Sequence, residues 1–401
     1  MEIDHAQPSE ITGKPFEISR VFMKVLINAT GARGGGGETF LLGLIPELVK
    51  AAPSSYFTIV VPESRIHLYG HHSNLLIVPV SQQIIKNSIH RFCHEHGKMV
   101  SFLRRGVFDV FFQADEMLSP LATFLKIPTL AVVHATQHML IPKLIGDSPA
   151  KLFYLNTIKS LAMKRASVIV TVSHHAKGEL SGLYPKARDR IRVIYHGIDH
   201  AVFRPLAHQP KPLYHMGIDR YILSVSDRHI HKNYFKLIQA FALLCRNNTV
   251  TEHLVLVGRP KVADEEKRIN ELIESERLQN RVHLLEYAAQ EQLAEIYRGA
   301  SAYVFPSTFE TFGFTPLEAM ACGVPVACAW CSAMPEVCGD AVEYFDPADI
   351  SDMVRAIEVV LFNTNRRMEL VQMGKRHGAK FTWRRAAEKY YRVLAEIGKK
   401  V

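Results

Sequence analysis

Short apolar runs and longer amphipathic stretches alternate along this chain. Val21-Phe22-Met23-Lys24-Val25-Leu26-Ile27 reads as a buried strand. It leads into the glycine loop Gly34–Gly37 and an amphipathic stretch from Glu38 to Lys50, the strand–loop–helix opening of a βαβ unit. Tyr56–Val61, Leu75–Val80, Val107–Phe112, Thr129–His134, Ser167–Val172 and Ile191–Tyr195 repeat the strand pattern. Helical stretches cover Ile84–Gly106 and Lys151–Arg165, and Ser173 is placed to cap another. Pro205, Pro210 and Pro212 then break the pattern and mark a domain boundary.

After them the rhythm restarts. Tyr221–Val225, His253–Val257, Val282–Leu285, Ala302–Phe305 and Val324–Ala327 read as strands. Tyr234–Cys245, Asp264–Glu276, Gln290–Gly299, Pro316–Cys322 and Ile350–Phe362 read as helices. Repeated strand–helix alternation predicts an α/β protein of two doubly wound, Rossmann-like domains facing across a cleft. The expected division is a polar tail over 1–19, a first domain over 20–205 and a second over 206–380. Ligands of such sheets sit at the carboxyl ends of the strands, so the cleft is where a site is expected.

Composition narrows this picture. With 401 residues, 48% hydrophobic and 22% charged, the chain is globular and too long for one core. No apolar run approaches the roughly 18–20 residues of a membrane span. The start, Met1-Glu2-Ile3-Asp4, lacks signal-peptide character, and six Cys are too few for a disulfide scaffold, so a cytoplasmic protein is expected. The net charge of +9 is uneven: residues 1–200 hold 22 Lys+Arg against 15 Asp+Glu, a difference of +7. No basic block, zinc-finger or RNA-binding motif accompanies it, so nucleic acid is not an expected partner. A solvated basic surface, an anionic membrane or a phosphorylated ligand all suit the first half.

The sharpest chemistry lies in Ser307-Thr308-Phe309-Glu310-Thr311-Phe312-Gly313-Phe314-Thr315-Pro316-Leu317-Glu318-Ala319-Met320-Ala321-Cys322-Gly323-Val324-Pro325-Val326. A strand ends at Pro306, a loop holds Glu310 and Gly313, and a helix starts at Pro316 and stops at Gly323. Glu310 and Glu318 are thereby expected at a strand's carboxyl end, facing the cleft. A carboxylate there can accept two hydrogen bonds from a sugar or ribose diol. The helix amides can meet a phosphate.

This stretch resembles the signature of the family 4 glycosyltransferases, which have the GT-B fold. The resemblance runs from Val21 onward through about 370 residues. It implies transfer of a sugar from a nucleotide diphosphate to an acceptor hydroxyl with retained configuration. It also implies that Glu310 is catalytic, and that Glu318, Gly313, Phe314 and Thr315 bind substrate. Ala333-Met334-Pro335-Glu336 resembles the family's turn beside the donor phosphates, making Pro335 and Glu336 substrate contacts. Ala166–Ser173 resembles the last helix of the first domain. Val193–Asp199 resembles the hinge, and Phe381-Thr382-Trp383 the start of a helix over 381–401 that packs back on the first domain.

The resemblance also implies that Lys232, in Arg228-His229-Ile230-His231-Lys232-Asn233, is a cation for the leaving diphosphate. Members place an Arg five residues before this Lys or directly before it. Here those positions hold Asp227 and His231, and Arg228 is either a shifted substitute or an exposed loop residue. The glycine loop, with Gly35, Gly36 and the neighbouring Arg33, is a phosphate or acceptor contact by resemblance, and otherwise a mobile turn. His134 ends a strand where the family often has a His near the donor sugar, although Ala135 follows in place of Asp.

Cys328-x-x-Cys331 has metal spacing but no second pair, and no Asp-x-Asp stands at a strand end. No metal or other cofactor is expected. The implied partners are a nucleotide-sugar donor, with GDP-mannose ahead of UDP- or dTDP-sugars by analogy, and a glycan or lipid-linked saccharide acceptor. The implied setting is polysaccharide biosynthesis, with peripheral contact to an anionic membrane through the basic domain. A phosphorylase-like enzyme on the same fold and a non-catalytic binder are the competing readings.

Overall fold

The computed structural model describes residues 22–31, 35–86, 88–115, 118–141, 149–206, 210, 212–247 and 249–399. The expected tail, Gly34 and Arg33 lie outside these residues.

The first sheet holds β1 (Lys24–Asn28), β2 (Tyr56–Pro62), β3 (Leu75–Val80), β4 (Val110–Gln113), β5 (Thr129–Val133), β6 (Val168–Thr171) and β7 (Ile191–Val193). Their order is β3-β2-β1-β4-β5-β6-β7, with every pair parallel. The second sheet holds β8 (Tyr221–Val225), β9 (His253–Val257), β10 (Val282–Leu285), β11 (Ala302–Phe305), β12 (Val326–Ala329) and β13 (Glu343–Phe345). It is also parallel, in the order β10-β9-β8-β11-β12-β13. Central strands such as β5, β8 and β11 are buried at every position, as parallel strands covered on both faces must be.

Each sheet reverses its order once, between β1 and β4 and between β8 and β11. Loops leaving neighbouring strands at such a point diverge to opposite faces and open a crevice.

The last helix, Trp383–Gly398, packs on the first domain. Trp383, Ala387, Tyr390, Tyr391 and Leu394 join Phe40, Leu44 and Leu48 of the helix Gly35–Ala51 in one core. Gly43 allows this approach, because a side chain there would run into the Trp383 indole. Thr382 caps the helix, its hydroxyl accepting the Arg385 amide at 3.2 Å.

Several expectations shift. Packing changes domain at Gly197 rather than at 205, since Ile198 and Phe203 already belong to the second core. The chain crosses there beside its return crossing: Ile198 bridges Thr382, and its amide donates to Phe381 O at 3.2 Å. Within Ala166–Ser173 the chain forms strand β6, Val168–Thr171, as the apolar pattern of Ser167–Val172 predicts, and not the helix that the resemblance implies. The helix after Glu310 starts at Phe314, two residues before Pro316, with Gly313 at φ +85 as its cap. Gln82–Arg105 is helical in pieces, broken by a π-helical turn over His94–Lys98. Thr364–Gly378 is a further helix, with only Leu370, Gly374 and Gly378 buried. Among the described residues no helix is long and apolar enough to cross a membrane.

Candidate functional site

The loops leaving β8 and β11 meet at the switch point of the second sheet. Lys232 ends a short 3-10 turn after β8, and Asn233 follows in the left-handed region (φ +59) to start the helix Tyr234–Arg246. Asn233 Nδ2 donates to Pro306 O at 3.1 Å and Pro347 O at 3.0 Å, fixing this loop to the one after β11. The Thr308 amide donates to His231 O at 2.8 Å and joins them again. So held, Lys232 Nζ pairs with Glu310 Oε1, and the Ser307 hydroxyl donates to the same oxygen at 2.8 Å. The two charged side chains keep 17% and 13% of their surface exposed. A half-sheltered ion pair at a crevice offers a fixed cation and an acceptor side by side.

Glu318 departs from the expected picture. It does not simply face the cleft but is buried in the second domain, where Tyr297 Oη donates to Oε2 at 3.0 Å. Burial pushes its carboxyl up to about 7, against the Tyr297 bond. Starting the helix at Phe314 puts Glu318 in its second turn, which explains the inward aim. Oε1 meets no protein donor among the described residues. Thr315 lies beside the buried hydroxyl of Tyr303. Gly313 fits against Met334, where any side chain would collide.

Arg228 is a second correction. Its guanidinium does not reach into the crevice: it is 2% exposed and clasps Glu266, Nε to Oε2 at 2.7 Å and Nη2 to Oε1 at 2.9 Å. Nη1 donates to Gly258 O, and the backbone bridges Pro260. Every guanidinium nitrogen is occupied, so Arg228 fastens the β8 and β9 loops together.

The first domain brings two elements to the same cleft. Gly35 has φ +60 at the head of its helix, and a side chain at Gly36 would contact the Phe314 ring from the other domain. His134, after β5, donates from Nε2 to Ala114 O at 2.9 Å and lies 3.4 Å from His196 Nε2 through Nδ1. A carbonyl only accepts, so Nε2 carries the proton. The His134 carbonyl in turn accepts the Thr311 hydroxyl at 2.7 Å, a direct bond between the domains.

His196, in the hinge, is the residue sequence reasoning did not single out. It is buried and stacks on Phe314 (centroids 4.8 Å, planes 9° apart), with Phe312, Phe40 and Trp383 around it. Burial, with His134 beside it, lowers its pKa well below the ordinary range. Its place two residues before Ile198, where the chain changes domain, was the available signal.

Pro335 stands in the first turn of the short helix Met334–Cys338. Glu336 points at the other domain: it accepts the amides of His174 (2.6 Å) and His175 (2.9 Å) and the Tyr195 hydroxyl (2.8 Å). Its carboxylate therefore sits at the head of the helix His174–Leu183, whose dipole favours it there. The cysteines are free thiols, and no group of His, Cys, Asp or Glu among the described residues is arranged to hold a metal.

Comparison with known proteins agrees with this architecture. Residues 34–202 match the family described as Glycosyltransferase Family 4, and residues 210–377 match Glycosyl transferases group 1. The O-antigen chain mannosyltransferase B of Escherichia coli is 29% identical over 225 residues, covering 55% of this chain and 58% of that one. The serotype-specific mannosyltransferase WbdA of Escherichia coli is 31% identical over 262 residues, covering 62% and 32%. The chain thus spans from about a third to somewhat over half of these relatives' lengths. Among solved structures, HepE of Anabaena, in complex with UDP and glucose, superposes with a TM-score of 0.74 at 18% identity, covering 93% of this chain and all of that one. Sucrose-phosphate synthase of Thermosynechococcus elongatus superposes at 0.73 with 17% identity, covering 94% and 100%. With both halves matched in order and the two-sheet fold shared, this chain belongs to the family 4, group 1 glycosyltransferases of GT-B fold.

Proposed function

We propose that this chain is a retaining glycosyltransferase that moves a hexose from a nucleotide diphosphate sugar to a hydroxyl of a glycan or lipid-linked acceptor in polysaccharide assembly. The observation that carries the reading is the Lys232–Glu310 pair at the β8/β11 switch point. A leaving diphosphate needs a fixed cation, and Lys232 supplies it without a metal. Glu310 and its Ser307 partner are placed to hold the sugar near the reacting centre. Glu318 Oε1 takes a ribose hydroxyl. The O-antigen mannosyltransferases among the relatives favour mannose, and with it GDP-mannose; the UDP-bound neighbours keep UDP-sugars next.

The acceptor domain has a surface suited to an anionic membrane at the cytoplasmic face. Helices Ser88–Arg105 and Pro149–Arg165 meet through Phe92 and Tyr154. They expose Ile89, Phe92, Phe153 and Leu161 among Lys98, Arg104, Arg105, Lys164 and Arg165. Co-sedimentation with anionic but not neutral vesicles tests this contact.

A thermal-shift screen against GDP, UDP, dTDP, ADP and their sugar conjugates tests the donor. A ligand of the folded state raises the melting temperature by mass action. A selective shift, followed by product whose anomeric configuration matches the donor's, is the expected result. A non-catalytic binder is the second reading, favoured by the loss of Arg228 to Glu266. Binding without any donor turnover or hydrolysis would select it.

A further inference from the structure

With Arg228 withdrawn, the segment before Lys232 carries two imidazoles instead of a guanidinium. His229 and His231 stack with centroids 5.5 Å apart, at the carboxyl end of β8. Nδ1 of each is buried with no hydrogen-bond partner among the described residues, and His231 is only 4% exposed. Buried polar atoms in folded proteins are nearly always paired, and two orphans beside the donor lysine point to an absent ligand.

The charges facing them are largely positive. Lys232 and His138, the latter from the first domain across the cleft, act on both rings, and Lys261 acts on His229. Asp227 also faces His229, but it is held by Lys261 Nζ at 3.1 Å and the Arg259 amide at 3.0 Å. Glu310 is held by Lys232. Burial first, and then Lys232, push both imidazoles down, His231 to about 3, which favours the neutral rings.

We propose that the stacked pair of His229 and His231 is the second anion-binding element of the donor site, taking up one proton as the diphosphate enters. This rests on the donor reading above. Two negative charges arriving beside the pair favour the charged imidazole, and the proton comes from solvent. A second proton is opposed by the first across the stack, so one ring stays neutral and donates its N–H. An arginine in this place would move no proton, being always charged. Donor affinity therefore strengthens as pH falls. Glu318 works the other way, since a diol on its carboxylate releases a proton.

The test is titration calorimetry with GDP-mannose and UDP-glucose at about pH 6 and about pH 8, in buffers of different ionisation enthalpy. Each phosphate of a nucleotide sugar is substituted twice, by one ester and by the anhydride bridge, and carries one fixed charge, so protons taken up belong to the protein. At least about fivefold tighter binding at the lower pH, with net proton uptake, is expected for the unaltered protein. His229→Gln and His231→Gln each lose that slope. His231→Arg binds tightly at both pH values and so separates loss of the charge from loss of the fold. A pH slope and proton uptake that neither glutamine variant changes overturn the inference alone. If neither nucleotide sugar binds the unaltered protein, the donor reading falls and takes the inference with it.

Discussion

Glu336 of the second domain accepts a 2.8 Å hydrogen bond from the Tyr195 hydroxyl at the end of the first. The same carboxylate takes two amides at the head of the helix His174–Leu183, so one side chain caps a helix in the opposite domain. Burial and the Glu336 charge raise the Tyr195 pKa, which keeps its hydroxyl a donor. Substitution at Glu336 is expected to open the molecule more than it alters the nucleotide pocket. Glu336→Ala removes a charged cap of about 1–2 kcal/mol and should enlarge the radius of gyration in solution scattering. Tyr195→Phe, which leaves the two amide bonds, should do so less. Identical scattering from all three proteins would show that other contacts hold the cleft.

Glu318 sets a pH dependence with a definite sign. Its folded pKa of about 7 lies above the ordinary 4.5. Between those values the folded chain holds a proton that the unfolded chain has lost. Its contribution to stability is full below about pH 4.5 and is lost as pH rises through about 7, on the order of 3 kcal/mol in all. Glu95, buried and beside Asp115, is also raised to about 7 and acts in the same direction. Glu318→Gln keeps the shape and removes the charge. Its melting temperature is expected to exceed that of the unaltered protein at pH 8 and to match it near pH 4.5. A gain of equal size at both pH values would mean that ionisation is not its source.

These two glutamates mark how far the residues could be read in order. Ala302–Phe305 is a continuous apolar run and Tyr221–Val225 is interrupted only by Ser224, and parallel strands buried on both faces announce themselves that way. Gln290–Gly299 and Ile350–Phe362 were legible to the residue, because their apolar stripes are strong. Thr364–Gly378 was not, having few buried positions to set a period. Lys232 and Glu310 could each be selected, but their contact spans 78 residues and exists only because β8 and β11 are neighbours. Arg228 looked available because Glu266 stands 38 residues on, in a helix that only the fold brings back. Glu336 likewise gains its partners from the other domain. Local pattern shows which groups are present; tertiary contact decides which are already engaged.

The hinge offers a steric test. Gly197 passes so close to the backbone at Thr382 and Trp383 that a Cβ would strike it. Backbone cannot swing aside as a flexible side chain can, so Gly197→Ala must separate the two domain crossings. We expect a loss of about 2 kcal/mol or more, read as a lower denaturant midpoint. Gly182→Ala, where a Cβ meets nothing, is the control and should change little. Equal midpoints for the two variants would mean the crossings can part freely.

Lys232→Ala tests the chemistry most directly. The lysine pairs with Glu310, and its removal leaves that carboxylate, among the described residues, with Ser307 as its side-chain partner. Loss of charge at the leaving diphosphate is expected to lower turnover at least about tenfold, the scale for removing one preorganised electrostatic contact. Donor affinity should fall less, because the charge on the leaving group grows in the transition state. Lys232→Arg keeps the charge but exchanges a point ammonium for a planar fork, so partial recovery of turnover is expected. An alanine variant with near-normal turnover would move the role to another cation. An arginine variant as poor as alanine, with a normal melting temperature, would show that position at Glu310, more than charge, limits the step.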